Sequence, residues 1–166
     1  MIKKFNFLFV TMFGLGKVSL IPGTLGSFVT VLLLFFSFHI FKIPSNIILI
    51  ILITIFSYSL IAIKYHTKES DNKDPREIII DEFIGQSIPI YFYEISLGID
   101  ETSNQVILVY VISFFLFRFF DIFKPFPVSY FDKKHKNSFG VVMDDVCAGF
   151  YVVLSLICFM IIKKYI

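Results

Sequence analysis

The sequence is short of the residues on which many ligand chemistries depend. It has two cysteines, Cys147 and Cys158, eleven residues apart within one apolar segment. On a helix that separation is three turns, or roughly 16 Å, too far for a disulfide, so both are expected as small buried hydrophobes. His66 and His135 fall in charged stretches, and no Cys or His pair has zinc-ligand spacing, which removes a zinc site. The net charge is only +2 and no basic stripe with interleaved aromatics is present, so nucleic acid is excluded as a partner. Charged side chains are absent altogether from residues 43–63 and 102–117.

What fills those gaps is apolar. Hydrophobic residues make up 57% of the 166, with 23 Phe and a mean hydropathy of +0.82, against about 45–50% apolar in soluble domains. A soluble fold of this size leaves about a third of its surface exposed, and lipid is the better place for so much Phe, Ile and Leu. The composition therefore predicts an all-α, multi-pass helical membrane domain, a single domain over residues 1–166.

Along the chain, Lys3-Lys4 and apolar residues 5–13 imitate the start of a signal peptide, but no small-x-small cleavage site follows, so the segment is expected to be retained. A glycine-rich loop at 14–27 precedes an apolar helix at 28–41. Residues 43–63 are 21 long, enough to span a bilayer. The charged stretch 64–81, with turn chemistry at Asp71-Asn72 and Asp74-Pro75, belongs in water. Residues 83–99 contain Gly85, Gln86, Pro89 and Glu94 and predict a half-buried third helix. An acidic loop at 100–104 leads to a helix from near Ser103, stopped by Pro125 and Pro127. A basic loop at 130–145 and a last apolar helix at 146–162, closed by Lys163-Lys164, complete four or five apolar segments.

Basic residues gather at the N-terminus, in 64–76 and in 124–136. The positive-inside rule then puts those segments in the cytoplasm. Five crossings satisfy it apart from Lys163-Lys164, which leaves open that the third or the last segment does not cross. In this topology the glycine-rich loop, Asp81-Glu82, Asp121 to Lys124 and Asp144-Asp145 meet on the cytoplasmic face of the membrane.

Five carboxylates, Asp81, Glu82, Asp121, Asp144 and Asp145, thus stand at apolar helix ends. Such a group repels itself without cations and suits Mg²⁺, which takes one or two carboxylates with substrate phosphate oxygens and water. Adjacent acids on a helix point about 100° apart, so one of each pair is expected to face the metal. The plainer reading of Asp121 is a helix-end ion pair with Arg118. For residues 22–27, backbone N–H groups and hydroxyls leading into a helix can hold an anion, and a simple capped helix start is the alternative. The glycines are neither a P-loop, since Thr11 and Val18 occupy two of its fixed positions, nor a dinucleotide fingerprint.

Other phosphate chemistries are excluded by absence. Arg76 and Arg118 are the only arginines, and His135 is the only histidine of the second half. A multi-histidine phosphatase site cannot be assembled from them. Neither cysteine is followed by arginine, which removes a phosphocysteine route, and the spaced aspartates and glycines of CDP-alcohol transferases are missing. A non-enzymatic membrane protein that uses the carboxylates as an ion path, either an ion carrier or an assembly factor, is the reading from another class. It requires acids facing one another at mid-membrane depth.

Four segments in order, GLGKVSLIPGTLGS at 14–27, DPREIIIDEFIGQ at 74–86, FRFFDIFKPFPV at 117–128 and FGVVMDDVCAG at 139–149, together resemble the phosphatidylglycerophosphatase A family of bacterial membrane enzymes. The resemblance implies Mg²⁺-dependent hydrolysis of phosphatidylglycerophosphate, a membrane phospholipid, to phosphatidylglycerol and inorganic phosphate in phospholipid biosynthesis. It further implies Asp81, Glu82, Asp121, Asp144 and Asp145 as metal and catalytic candidates, with Thr24, Ser27, Arg118 and Lys124 as phosphate contacts. Two departures stand out: Ser19-Leu20-Ile21 where the family's loop reads P-x-A, and Arg76 where its D-P-G-E has glycine.

Overall fold

The computed structural model describes residues 2–68, 75–98, 103–135 and 137–165. The turn at Asp71-Asn72, Asp74 and the first residues of the acidic loop from Asp100 lie outside them. All regular structure described is helical: α1 (Ile2–Val10), α2 (Leu15–Val18), α3 (Pro22–Phe35), α4 (Ser45–His66), α5 (Ile80–Tyr93), α6 (Ser103–Phe123), α7 (Val128–Lys134) and α8 (Ser138–Tyr165). π-helical turns extend α3 over Phe36–Ile40 and α5 over Glu94–Gly98.

Among the described residues, four helices are long and apolar enough to cross a membrane: Pro22–Ile40, Ser45–His66, Asn104–Phe123 and Ser138–Ile162. In each, only 22% to 28% of an 18-residue apolar stretch is buried inside the protein. Their outward faces carry exposed Ile, Leu and Phe such as Leu33, Ile50, Phe115 and Leu154, which is the pattern of helices solvated by lipid.

The third apolar segment was expected half-buried and is instead the centre of the molecule. Ten of the 14 residues of α5 are buried, because its polar and helix-breaking residues need protein around them rather than lipid. Pro89 has no N–H to give the carbonyl of Gly85, and that carbonyl is the atom against which Gly149 of α8 packs: a Cβ on Gly149 would lie 2.4 Å from it. A Cβ on Gly85 would in turn lie 2.5 Å from the carbonyl oxygen of Asp145. Small residues at a helix crossing let the backbones close up where apolar burial gives no driving force. Asp81 lies one turn before Gly85 and Asp145 one turn before Gly149, so α5 and α8 run in the same direction and bring their acids together.

At the other end of the bundle, buried Glu94 accepts from the Tyr110 hydroxyl of α6 at 3.0 Å and lies 3.0 Å from Nε2 of His39, which belongs to the π-helical turn after α3. This contact ties the far ends of α3, α5 and α6. The N-terminal α1 packs on α4, where the Tyr58 hydroxyl donates to Oδ1 of Asn6 at 2.6 Å.

Three boundaries differ from the sequence expectation. α3 begins at Pro22, not at 28, because proline suits the first helical position. The supposed glycine-rich loop is therefore α2 followed by the first turns of α3. The supposed basic loop 130–145 contains most of α7 and the first two turns of α8, so the polar motifs lie on helix turns rather than loops. Cys147 is only half-buried and Cys158 is exposed, since the far half of α8 faces outward.

Candidate metal and phosphate site

A cavity of about 380 Å³ opens where α3, α5, α6 and α8 meet, and its wall is lined by Asp81, Glu82, Asp121, Asp144 and Asp145. All five acids singled out from the sequence are thus in one place. One carboxylate oxygen from each of Asp81, Glu82 and Asp145 lies within 4.8 Å of the other two. Asp81 and Asp145 are buried, and Oε2 of Glu82 is buried with no hydrogen-bond partner among the described residues. Three converging carboxylates, two of them buried, are an all-oxygen donor set, which fits a hard divalent cation. A metal ion could be held there.

Both members of the Asp81-Glu82 pair reach this group, although adjacent helical acids diverge. Glu82 is longer by one methylene, and Gly23 leaves it room: a Cβ on Gly23 would stand 2.2 Å from Oε1 of Glu82 and 3.2 Å from Nη1 of Arg118. The other pair does diverge. Asp145 joins the carboxylate group, while Asp144 turns to Lys124, its Oδ2 3.0 Å from Nζ.

Asp121 stands outside the group of three. Its Oδ2 lies 2.8 Å from Nη1 of Arg118, one turn back on α6, so the helix-end ion pair is formed and is itself part of the cavity wall. Nε of Arg118 is buried with no acceptor among the described residues, and Nη1 also lies 3.4 Å from the Ser27 hydroxyl.

Thr24 lines the cavity, as do Pro22 and Gly23 at the start of α3. No side chain caps that helix end, so its first backbone N–H groups are open to an anion. Ser27 is elsewhere: it is fully buried and its hydroxyl donates to the carbonyl of Gly23 at 2.9 Å. Lys124 ends α6 in a left-handed conformation (φ 48°). Its ammonium donates to Asp132 at 2.6 Å and to Asp144 at 3.0 Å. Burial alone would lower its pKa, but the two carboxylates outweigh that and raise it above the ordinary lysine value.

Sequence reasoning missed two contributors. Arg76 lines the cavity, and its place five residues before the Asp81-Glu82 pair was the available signal. Asp132 was invisible, because only the reversal after Phe123 brings α7 back to Lys124. The rim carries exposed Leu20, Ile21 and Ile122. The buried part of the lining is therefore acidic, and the exposed part carries these apolar side chains together with Arg76.

Residues 8–160 match the phosphatidylglycerophosphatase A family. The chain is 36% identical to a phosphatidylglycerophosphatase A of Haemophilus influenzae over 142 residues, 86% of this chain and 80% of that protein. It is 30% identical over 144 residues, 85% of this chain and 84% of the relative, to a Bacteroides thetaiotaomicron protein provisionally named a phosphatidylinositol-3-phosphatase. An Escherichia coli phosphatidylglycerophosphatase A is 27% identical over 141 residues, 82% of this chain and 73% of that one. No solved structure matches.

Proposed function

From the premise that the chain belongs to the phosphatidylglycerophosphatase A family, we propose how its cavity carries out the reaction. The protein is a phosphoric monoester hydrolase that dephosphorylates phosphatidylglycerophosphate in phospholipid biosynthesis. The observation that carries a lipid substrate to this cavity is the composition of its wall, with buried acids inside and exposed Leu20, Ile21 and Ile122 beside the exposed Arg76 at the solvent side. A phosphate group can enter while the acyl chains stay in the bilayer.

In this proposal Asp81, Glu82 and Asp145 hold a Mg²⁺ ion, which supplies positive charge to the phosphoryl oxygens. Arg118 presents a guanidinium fixed by Asp121, with Nε free for a phosphate oxygen. Lys124 stays charged through Asp132 and Asp144 and adds a second cation. The open N–H groups of α3 and the Thr24 hydroxyl supply donors that need no reorganisation as charge builds on the phosphoryl group. Arg76 stands at the same wall and faces the remaining substrate charge. Ser27 acts behind Arg118, as a support for its position rather than as a phosphate contact.

The cavity is proposed to face the cytoplasm, supported by the concentration of Lys and Arg in 64–76 and 124–136. The deciding experiment is release of phosphate from phosphatidylglycerophosphate by the purified full-length protein in mixed micelles, after chelation and again after Mg²⁺ is returned. Release that depends on Mg²⁺ is expected. Full activity in chelator would remove the metal, and no release under any metal would remove the activity.

A further inference from the structure

A second cavity opens at the same end of the protein, between the end of α4 and the start of α8, and the hydrolytic reading makes no use of it. Its volume is about 550 Å³, larger than the carboxylate cavity. Leu60, Ile61 and Phe139 form its apolar part, and Lys64, Tyr65 and Lys68 its polar part. These residues are graded along α4. The apolar pair comes first, Lys64 and Tyr65 follow one turn later, and Lys68 lies just past the end of α4, in the turn that follows His66. The gradient runs from the membrane-spanning part of α4 towards its end, in the same sense as a phospholipid runs from acyl chain to phosphate.

Charge and position point the same way. Lys64, in the last turn of α4, and Lys68, just beyond it, both line the cavity and are both exposed, so an anion between them would meet two positive charges, and neither has an ion-pair partner among the described residues. Ser138 at the start of α8 also lines the cavity, at the end of the helix whose dipole favours an anion, although the N–H of Gly140 there is already taken by Oδ1 of Asn137 at 2.9 Å. Tyr65 is 61% exposed, as befits a tyrosine at the membrane–water interface. Basic pockets between transmembrane helices take lipid headgroups by this chemistry.

We propose that this cavity is a binding site for an anionic phospholipid of the surrounding bilayer, its phosphate between Lys64 and Lys68 and its first acyl carbons on Leu60, Ile61 and Phe139. The site is separate from the carboxylate cavity and needs only that α4 and α8 stand in a membrane. Its occupant is a lipid that is held, not hydrolysed, since no carboxylate lines the cavity among the described residues.

The chain contains no tryptophan, so Tyr65→Trp installs a single fluorescent reporter in the site. The full-length variant is reconstituted in phosphatidylcholine vesicles containing either brominated phosphatidylglycerol or brominated phosphatidylcholine, and quenching of the tryptophan gives their relative binding. A preference for the anionic lipid of at least about fivefold is expected from one to two nearby lysines. Lys64→Ala with Lys68→Ala in the same background should bring the ratio to near one, and Lys64→Arg with Lys68→Arg should restore it. A ratio near one before the lysines are changed would overturn the proposal, as would a preference that survives their removal. Relief of quenching by millimolar inorganic phosphate would also overturn it, by assigning the site to a soluble anion. Unchanged thermal midpoints of the variants in detergent establish that the lost preference is not unfolding, and Phe139→Trp serves as the reporter if Tyr65→Trp lowers that midpoint.

Discussion

Gly85 lies against the carbonyl of Asp145, so closely that a Cβ would stand 2.5 Å from that oxygen and 2.7 Å from the ring of Phe117. Both neighbours are fixed, one by backbone and the other by full burial. Gly85→Ala therefore forces α5 and α8 apart, an overpacking that costs about 1–3 kcal/mol. It also moves Asp81 and Glu82 away from Asp145. The expected outcome is a lower thermal midpoint together with a loss of phosphatase activity at temperatures where the variant is still folded. Full activity with an unchanged midpoint would mean that the two helices do not meet at this glycine.

That contact also explains how much could be read in advance. The long charge-free runs and the helix ends near Ser103 and Phe123 were legible, because apolar length and proline placement are local properties. So was the set of acids, since carboxylates beside apolar helices are conspicuous. The role of 80–98 was not legible, because Gln86, Pro89 and Glu94 weaken a hydropathy pattern, and their burial depends on which helices surround them. Gly23 looked like part of a loop, whereas its function is to leave space for a residue 59 positions later. Nor could the partners of Lys124 be told from spacing, since Asp132 and Asp144 reach it only through the turn after α6.

The carboxylates should separate by role. Asp145→Asn removes an oxygen donor from the group of three within 4.8 Å, and is expected to lower kcat by more than about 100-fold, beyond the usual effect of an outer-shell partner, and to raise the Mg²⁺ concentration for half activity. Gly23→Ala should imitate it in milder form, because the added carbon displaces the movable end of Glu82. Asp121→Asn loosens Arg118, so it should reduce kcat with little change in the Mg²⁺ requirement. The measurement is activity against Mg²⁺ for each variant. Identical Mg²⁺ curves for Asp145→Asn and the parent would take Asp145 out of the metal site.

Lys124 gives a pH dependence with a definite sign. Its pKa in the folded protein is raised, so its contribution to folding is fully present below the unfolded lysine value, about 10.4, and is lost only as pH rises through the higher folded value. The same holds for its charge towards a phosphate. KM in the parent should show no rise from Lys124 deprotonation between about pH 7 and pH 10. Lys124→Ala should raise KM more than it lowers kcat, as loss of binding felt equally in ground and transition states does. Asp144→Asn removes one of the two charges that hold the proton on, so the alkaline rise in KM should begin at lower pH. Superimposable KM profiles for Asp144→Asn and the parent would show that Asp144 does not set the charge of Lys124.

Sidedness follows from charge and from the direction of the helices. Residues 64–76 and 124–136 hold four Lys or Arg each, whereas the connection between α3 and α4 holds only Lys42. Lys42 follows the end of α3 away from the cavity, and Lys133 sits on α7 beside Asp132, at the cavity end. Both positions are exposed, so cysteines there are reachable by reagent. In a background with Cys147 and Cys158 changed to alanine, Lys42→Cys should react with an impermeant thiol reagent added outside intact cells. Lys133→Cys should react only after the membrane is opened, because the cavity must face the side on which the basic segments are retained. Labelling of Lys133→Cys from outside, with Lys42→Cys protected, would reverse the orientation and place phosphate release on the far side of the membrane.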